Sequence, residues 1–290
     1  MIKYMKLLIN NTDYENTIQY AKELTGEYKK PVTFHCYWNG DLIEKHLISI
    51  KSCFYFNVFN RTNRKIILWL ENNRPNQYNE EIKKYAEIKK FDLNHEIKTT
   101  FLEGRQFFIN YSISFYSDIV RYVLLYKYSG CWFDLDVLFL RNFDPIFSNY
   151  ENEVIVYQWE HQKYPNGAIY ISLNQHDKMK QNIEFIIQRN RGWGFSEANL
   201  TFDLPLDMLV LPCSWFDGCW INNPYNISAN DLFSETDQIY TFDNFFEGAF
   251  CWHWHNRWNH AICNNSILRQ LDQIIDTNIG DGYVKKITFD

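Results

Sequence analysis

The most informative segment of the chain spans residues 117–140 and reads Ser117-Asp-Ile-Val-Arg-Tyr-Val-Leu-Leu-Tyr-Lys-Tyr-Ser-Gly-Cys-Trp-Phe-Asp-Leu-Asp-Val-Leu-Phe-Leu140. Apolar and aromatic residues in its first half recur at helical spacing, with Ser117 as a suitable N-cap and Gly130 as a suitable stop. The second half is apolar and is typical of a buried strand, interrupted only by Asp134 and Asp136. We therefore predict a helix that ends at Gly130, followed by a strand that carries an Asp-x-Asp motif.

The two acids of this motif are separated by one residue. In an extended chain residues i and i+2 project to the same side, so Asp134 and Asp136 would face one point in space. Burying two like charges together is costly, and a divalent cation would offset that cost. Oxygen ligands of this kind suit Mn²⁺ or Mg²⁺. The alternative, in which the acids cap helices or lie in a solvated turn, stays open, although the flanking strand residues favour a metal.

The wider pattern is Ser-Asp-x-x-Arg-Tyr, a helix, glycine, an aromatic residue and Asp-x-Asp. It resembles the nucleotide-sugar-binding region of the DXD glycosyltransferases, a group that includes the Och1-type mannosyltransferases, the α-1,4-galactosyltransferases and the catalytic domains of large clostridial toxins. Segments 30–40, 65–73 and 249–258 resemble that family's first strand, second strand and His-x-Trp-Asn ending, in the right order. Two departures are Ser129, in place of the first of two glycines, and Trp132, in place of a tyrosine.

The resemblance implies an α/β protein of the GT-A fold, with a Rossmann-like, mainly parallel central sheet flanked by helices. Strand and helix patterns alternate along the first half of the chain, which independently favours a parallel sheet. We predict strands over 32–37, 66–70, 97–100, 153–159 and 168–173, helices over 13–28, 79–90 and 175–189, a loop and helix over 40–50, a loop over 190–203, and a closing helix and strand within 262–290. We expect one domain over 1–290, divided into a helical lead-in (1–29), a nucleotide-sugar-binding half (30–140) and an acceptor half with the closing segment (141–290).

The resemblance assigns a catalytic set around the motif. It implies that Asp136 binds the metal directly and that Asp134 reaches the metal through water, or else contacts the ribose and the donor sugar. Asp118 and Arg121 are three residues apart and share one helix face. The resemblance assigns this pair to the donor-sugar hydroxyls, whereas the alternative is an ordinary ion pair within the helix.

Further residues are assigned to substrate by the same resemblance. Trp38 would lie against the uracil or other base of the donor, with His35 in the same strand motif. Asn166 would lie beside the donor sugar. Asp203 and Asp207 would contact the acceptor, with a helix-capping role as the equal alternative.

The segment from Trp252 to Trp258 combines two histidines, an asparagine and an arginine with aromatic residues. Such a polar group ringed by aromatics is typical of a binding site, although a lone histidine in an apolar stretch is usually a core residue. His253 and His255 both align with the family histidine, and the spacing to Asn256 favours His253 as the metal ligand. Arg257 would neutralise the diphosphate.

These features predict a metal-dependent glycosyltransferase that moves a sugar from a nucleotide-diphosphate sugar, preferably a UDP-sugar, to a glycan hydroxyl with retained anomeric configuration. The predicted cofactor is Mn²⁺ or Mg²⁺. The alternative is a nucleotide-sugar or carbohydrate-binding protein of the same fold without turnover. A net charge of −6 argues against nucleic acid as a partner. The sequence shows no transmembrane segment or signal peptide, and its seven cysteines lack metal-binding spacing, so we expect a cytoplasmic protein with free thiols.

Overall fold

The computed structural model describes residues 6–7, 13–105, 113–159, 165–190 and 207–280. The predicted loop after residue 190, the predicted final strand and Asp203 lie outside these ranges. Within them, no helix is long and apolar enough to cross a membrane. All seven cysteines are free, and five of them are buried.

The described chain alternates between strands and helices. In chain order the elements are β1 (Lys6–Leu7), α1 (Tyr14–Glu23), β2 (Val32–Asn39), α2 (Glu44–Asn57), β3 (Arg64–Glu71), α3 (Gln77–Ile82), β4 (Glu87–Lys90), α4 (Leu93–Glu96), α5 (Ile113–Tyr128), β5 (Gly130–Phe133), β6 (Val137–Phe139), α6 (Asp144–Tyr150), β7 (Val154–Gln158), β8 (Pro165–Ser172), α7 (His176–Asn190), β9 (Leu209–Leu211), two short 3-10 helices (Cys213–Trp215 and Gly218–Trp220), β10 (Cys251–His253) and α8 (Ile267–Ile279).

The strands form one large sheet and one small sheet. The large sheet has the order β1-β9-β7-β8-β5-β2-β3-β4. Its neighbours are parallel except at β8, which runs antiparallel to both β5 and β7. The small sheet pairs β6 with β10 in antiparallel register. The predicted α/β class with a mainly parallel sheet is therefore confirmed.

Both faces of the large sheet are covered. Along β3, Ile66 and Leu68 belong to one apolar core, whereas Ile67 and Trp69 belong to the other. Successive strand residues point to opposite faces, so a strand buried on both sides reads as a continuous apolar run. Helix α5 packs in the second core, and helices α2 and α8 pack in the first.

The junction between α5 and β5 differs in detail from the prediction. The helix begins before Ser117, which therefore is not the N-cap, and it ends at Tyr128 rather than at Gly130. Ser129 takes the left-handed conformation with φ 56°, at the position where the related family has a glycine. Gly130 has φ 115°, and a Cβ there would lie 2.1 Å from the Thr33 carbonyl oxygen. Glycine is required at 130 because β5 approaches the backbone of β2 so closely.

Two further predictions are wrong. The helix expected over 79–90 ends at Ile82, and β4 pairs with β3 as an edge strand of the sheet. Its charged residues suit an exposed edge. The strand expected over 97–100 is absent, because Asp92 caps the short helix α4 through the backbone N–H groups of residues 94 and 95, and Thr99 has φ 64°.

The strand expected through the Asp-x-Asp motif is also wrong. The motif lies in a turn between β5 and β6, closed by a 3.2 Å hydrogen bond from the Val137 N–H to the Asp134 carbonyl. The chain leaves the large sheet at β5 and enters the small sheet at β6. The two acids therefore mark the point where the chain changes sheet.

Candidate active site

A cavity of about 500 Å³ opens beside this turn and the end of β2. It brings together residues from β2, α5, the Asp-x-Asp turn, β8 and the segment after β10. Seven of the predicted site residues line it: Trp38, Asp118, Arg121, Asp134, Asp136, Asn166 and His253.

One wall of the cavity carries a chain of charges centred on the buried Arg121. The Arg121 guanidinium donates to Asp118 Oδ1 at 2.8 Å and to Asp134 Oδ1 at 3.0 Å. Trp132 Nε1 donates to the same Asp134 oxygen at 2.7 Å. Burial, together with the nearby Asp134 charge, raises the pKa of Asp118 to about 6 despite the Arg121 charge. Arg121 thus joins the helix residue Asp118 to the first acid of the motif, rather than forming an isolated pair within the helix.

A glycine makes room for this arginine. Gly167 lies on β8 opposite Arg121, and a Cβ there would fall 1.9 Å from an Arg121 terminal nitrogen. The neighbouring Asn166 lines the cavity, and its Oδ1 accepts the Ala168 N–H at 2.7 Å. Strand β8 therefore shapes the charged wall in two ways: Gly167 leaves space for Arg121, and Asn166 presents a polar side chain to the cavity.

The second acid of the motif is bound by the C-terminal segment. Asp136 is 4% exposed, and its Oδ2 lies 3.1 Å from His253 Nε2 and accepts the Asn256 N–H at 2.8 Å. Both His255 and Asn256 have positive φ, and this turn aims the Asn256 N–H at the carboxylate. Burial opposes the charge of Asp136, but His253 and the Asn256 N–H lower its pKa.

His253 lies between two carboxylates. Its Nδ1 faces Asp217 Oδ2 at 3.5 Å and the Tyr157 hydroxyl at 3.0 Å. Burial alone would lower the pKa of His253, yet the charges and hydrogen bonds of Asp136 and Asp217 raise it to about 10. Burial likewise opposes the charge of Asp217, while the two histidines lower its pKa to about 2. The pKa of His255 is lowered by burial and by the charge of His253.

These residues fit a divalent cation. A buried carboxylate and an imidazole nitrogen already converge at Asp136 and His253, and the carboxylates on both sides of His253 raise its pKa, which favours a proton on the ring at this point. A cation can replace that proton, because carboxylates and neutral imidazole are ordinary metal ligands. Among the described residues, Asp217, His253 and His255 also offer ligand atoms within 4.8 Å of one another.

Trp38 stands at the cavity within an aromatic group. Its Nε1 donates to the Asp41 carbonyl at 3.1 Å, and its ring lies 4.1 Å from the His46 ring and 4.9 Å from the Trp258 ring, centroid to centroid. Trp258 also lines the cavity. The Trp38 indole is therefore fixed by contacts with neighbouring residues.

Two predicted substrate residues lie elsewhere. His35 is fully buried in the large sheet, where Nδ1 accepts the Trp69 indole N–H at 3.1 Å and Nε2 lies 3.0 Å from the Ser129 carbonyl. Both ring nitrogens therefore have partners inside the protein. Arg257 is not among the cavity-lining residues, since its guanidinium donates to Asn230 Oδ1 and to the His255 carbonyl, both at 2.8 Å. Asp203 lies outside the described ranges.

Sequence reasoning missed three residues that shape the site: Asp217, Trp159 and Gly167. Asp217 stands in the run Ser-Trp-Phe-Asp-Gly-Cys-Trp, an acid among apolar residues, and is fully buried. That is the same signal that identified the Asp-x-Asp motif. Trp159 lines the cavity, but in the sequence it stands at the end of a largely apolar run, and nothing in that run distinguishes it from the aromatic residues of the core.

Comparison with known proteins gives a family match over the central part of this site. Residues 45–153 match the family model described as glycosyltransferase sugar-binding region containing DXD motif. This segment is similar to the sugar-binding region of DXD glycosyltransferases. It contains Asp118, Arg121, Asp134 and Asp136, and the predictions of a DXD glycosyltransferase and of a glycosyltransferase enzyme are confirmed. No curated protein matches the chain.

Solved glycosyltransferases resemble the chain in fold. The apo structure of the bifunctional glycosyltransferase WbbM aligns over 81% of this chain and 47% of its own, with 11% identity and a TM-score of 0.50. GlyE of Streptococcus pneumoniae TIGR4 aligns over 85% of this chain and 60% of its own, with 13% identity and a TM-score of 0.47. The galactosyltransferase LgtC, in complex with donor and acceptor sugar analogs, aligns over 64% of this chain and 75% of its own, with 8% identity and a TM-score of 0.41.

At such low sequence identities, similarity to a solved structure is evidence for the fold alone. The match to WbbM supports a shared fold. The predicted GT-A architecture is confirmed. The chain spans about half the length of the WbbM chain and 60% of the GlyE chain.

Proposed function

We propose that this glycosyltransferase region moves a sugar from a nucleotide-diphosphate donor, preferably a UDP-sugar, to a glycan hydroxyl, and that it requires Mn²⁺ or Mg²⁺. One observation carries the proposal: the buried Asp136 carboxylate lines the cavity with His253 Nε2 3.1 Å from its Oδ2. Two ionisable groups held so close, at the edge of an open space, form a site that a cation can enter. An imidazole ligand favours Mn²⁺ over Mg²⁺.

The metal would be held by Asp136 and His253, with Asp134 reaching it through water. When bound, the cation stabilises the charge that develops on the leaving diphosphate. The Asn256 N–H donates at 2.8 Å to the same Asp136 oxygen that faces His253, and this hydrogen bond would help to keep the carboxylate oriented in a metal-loaded protein.

The charged wall would bind the donor sugar. Arg121 holds Asp118 and Asp134 by two hydrogen bonds, and carboxylate oxygens are good acceptors for sugar hydroxyls. The Asn166 side-chain NH₂ group can donate to a sugar oxygen, because its Oδ1 is turned to the Ala168 N–H. Trp38 would stack against the base of the nucleotide at the other side of the cavity.

Two finer parts of the proposal come from the family resemblance: retention of the anomeric configuration and a glycan as acceptor. Two others come from composition and cysteine usage: a single catalytic domain over 1–290 with the subdivision given above, and a cytoplasmic location. Asp203 stays a candidate acceptor residue.

The test is release of UDP from a panel of UDP- and GDP-sugars in the presence and absence of Mn²⁺. We expect slow donor hydrolysis that requires the metal and that is lost in Asp136→Asn, while the variant keeps its thermal stability. Asparagine keeps the shape of the side chain and an acceptor for the Asn256 N–H but lacks the charge. Unchanged UDP release by this variant would refute the metal assignment. Saturable UDP-sugar binding by the natural protein without any UDP release would instead identify a binding protein.

A further inference from the structure

A buried acid lies behind the cavity wall, outside every motif discussed in the sequence. Asp217 follows the first of the two short 3-10 helices, its N–H donates to the Cys213 carbonyl at 2.8 Å, and its side chain has no exposed area. A carboxylate in such a place costs several kcal/mol unless hydrogen-bond donors surround it. The chain supplies these donors from two directions.

The first direction is the histidine pair. Asp217 Oδ1 lies 2.9 Å from His255 Nε2, and Oδ2 lies 3.5 Å from His253 Nδ1. The two imidazole rings stand 4.0 Å apart, centroid to centroid. One carboxylate therefore contacts both histidines of the C-terminal segment, one through each oxygen.

The second direction is the aromatic wall. Trp159 Nε1 donates to Asp217 Oδ2 at 2.6 Å, and the Tyr157 hydroxyl donates to the same oxygen at 3.3 Å. Trp159 lines the cavity and stacks on Trp220 with ring centroids 4.9 Å apart and planes 13° from parallel. The same acid thus fixes the plane of an indole that faces the cavity.

His253 has a distinct partner at each ring nitrogen. Nε2 faces Asp136 on the cavity side, whereas Nδ1 faces the Tyr157 hydroxyl at 3.0 Å and Asp217 Oδ2 at 3.5 Å on the buried side. The Tyr157 hydroxyl donates to the same Asp217 oxygen, so its own oxygen can accept from the His253 Nδ1–H together with Asp217. Histidines that bind metals in proteins commonly donate their second N–H to a carboxylate, which fixes the tautomer and the orientation of the ring. The geometry around His253 has this form.

We infer that Asp217 is a positioning residue, which keeps a proton on His253 Nδ1, aims His253 Nε2 at Asp136 for the metal, and holds Trp159 in the cavity wall. The inference rests on the proposed metal-dependent transfer. Asp217 faces the His253 nitrogen that points away from Asp136 and is not among the residues that line the cavity, so it would act through His253 rather than on the metal or the substrate itself. Loss of such a carboxylate weakens metal binding by about 10- to 100-fold in comparable sites.

The direct test is Mn²⁺ binding to Asp217→Asn, measured by electron paramagnetic resonance of the free ion. We expect a dissociation constant about 10- to 100-fold higher than that of the natural protein. In UDP release, the Mn²⁺ concentration for half-maximal rate should rise more than kcat falls at saturating Mn²⁺. The matched control is Asp272→Asn. Asp272 is another buried acid, which lies on α8 and pairs with Lys51 at 2.6 Å. The control should lower thermal stability and leave Mn²⁺ affinity unchanged.

A second measurement uses the natural protein and therefore does not depend on whether Asp217→Asn folds. The natural protein, labelled with ¹⁵N-histidine and loaded with Mg²⁺ and UDP, should show His253 with its proton on Nδ1, the resonance being assigned with His253→Gln. Either of two results would overturn the inference. One is a metal-loaded protein in which His253 carries its proton on Nε2, and the other is an Mn²⁺ affinity of Asp217→Asn within twofold of that of the natural protein. Failure of the natural protein itself to bind Mn²⁺ would overturn the proposed function first, and the inference with it.

Discussion

Gly167→Ala should damage the charged wall without touching any charged residue. A Cβ at position 167 would lie 1.9 Å from the Arg121 terminal nitrogen, whereas ordinary contact begins at 3.4 Å, so the guanidinium must retreat by about 1.5 Å. It can do so, since it is the end of a flexible side chain, but only by giving up its bonds to Asp118 and Asp134, now 2.8 and 3.0 Å long. The cost therefore falls on the ion pairs rather than on the backbone.

The size of the effect follows from the strength of those bonds. A hydrogen bond between charged groups contributes about 1.5–3 kcal/mol. Loss of one such bond in the transition state lowers kcat/KM by about 10- to 150-fold. The assay is the initial rate of UDP release over a range of donor concentrations, with thermal unfolding measured in parallel to show that the variant is folded.

Two controls separate this mechanism from a general effect of an added methyl group. Gly104→Ala places a methyl in open space on an exposed residue with φ 76°, so the change should cost some stability through backbone strain and leave kcat/KM unchanged. In the background of Arg121→Ala, the Gly167→Ala change should have almost no further effect, because the colliding group is gone. A Gly167→Ala protein whose kcat/KM lies within twofold of the natural value would refute the reasoning.

The remaining predictions concern nucleotide binding and acid stability. Trp38→Ala should weaken UDP binding by about 1–3 kcal/mol in calorimetry, since a base loses its stacking partner; unaltered affinity would count against the assignment. Burial lowers the pKa of His35 to about 4. The Nδ1 atom of His35 accepts the Trp69 N–H, so a proton on Nδ1 would place two N–H donors face to face with no acceptor between them. The folded state thus binds this proton more weakly than the unfolded state, and stability should fall by about 3 kcal/mol as the pH drops from 6.5 to 4. Denaturant unfolding as a function of pH should show a smaller slope in His35→Gln; an equal slope would exclude His35 as the cause.

The parts of the fold that follow from local pattern were predictable. The strand around 66–70 is a continuous apolar run, the strand around 32–37 is largely apolar, and the helix before Gly130 has clear periodicity. The edge strand β4 was not predictable, because its charged sequence Glu-Ile-Lys-Lys is equally suited to a surface helix. Its conformation is set by pairing with β3, which is a tertiary contact.

The candidate site divides in a similar way. Asp134 and Asp136 were identified because acids in an apolar segment are costly, although the chain around them is a turn rather than a strand. The approach of His253 to Asp136 required the resemblance, since the two residues are far apart in sequence. His35 shares the polar character of a site residue, but both of its ring nitrogens are occupied inside the sheet. Sequence shows which side chains are polar, and only the packing shows what they face.

The pairing of β6 with β10 has a consequence for how the site is assembled. The matched family region stops at residue 153, yet the Asp136 carboxylate is completed by an imidazole and a backbone N–H that come from beyond residue 250. Contacts between such distant segments form late, because a long loop must close first. During synthesis on the ribosome the motif therefore emerges well before its partners, so capture of the proposed metal would wait for the last quarter of the polypeptide.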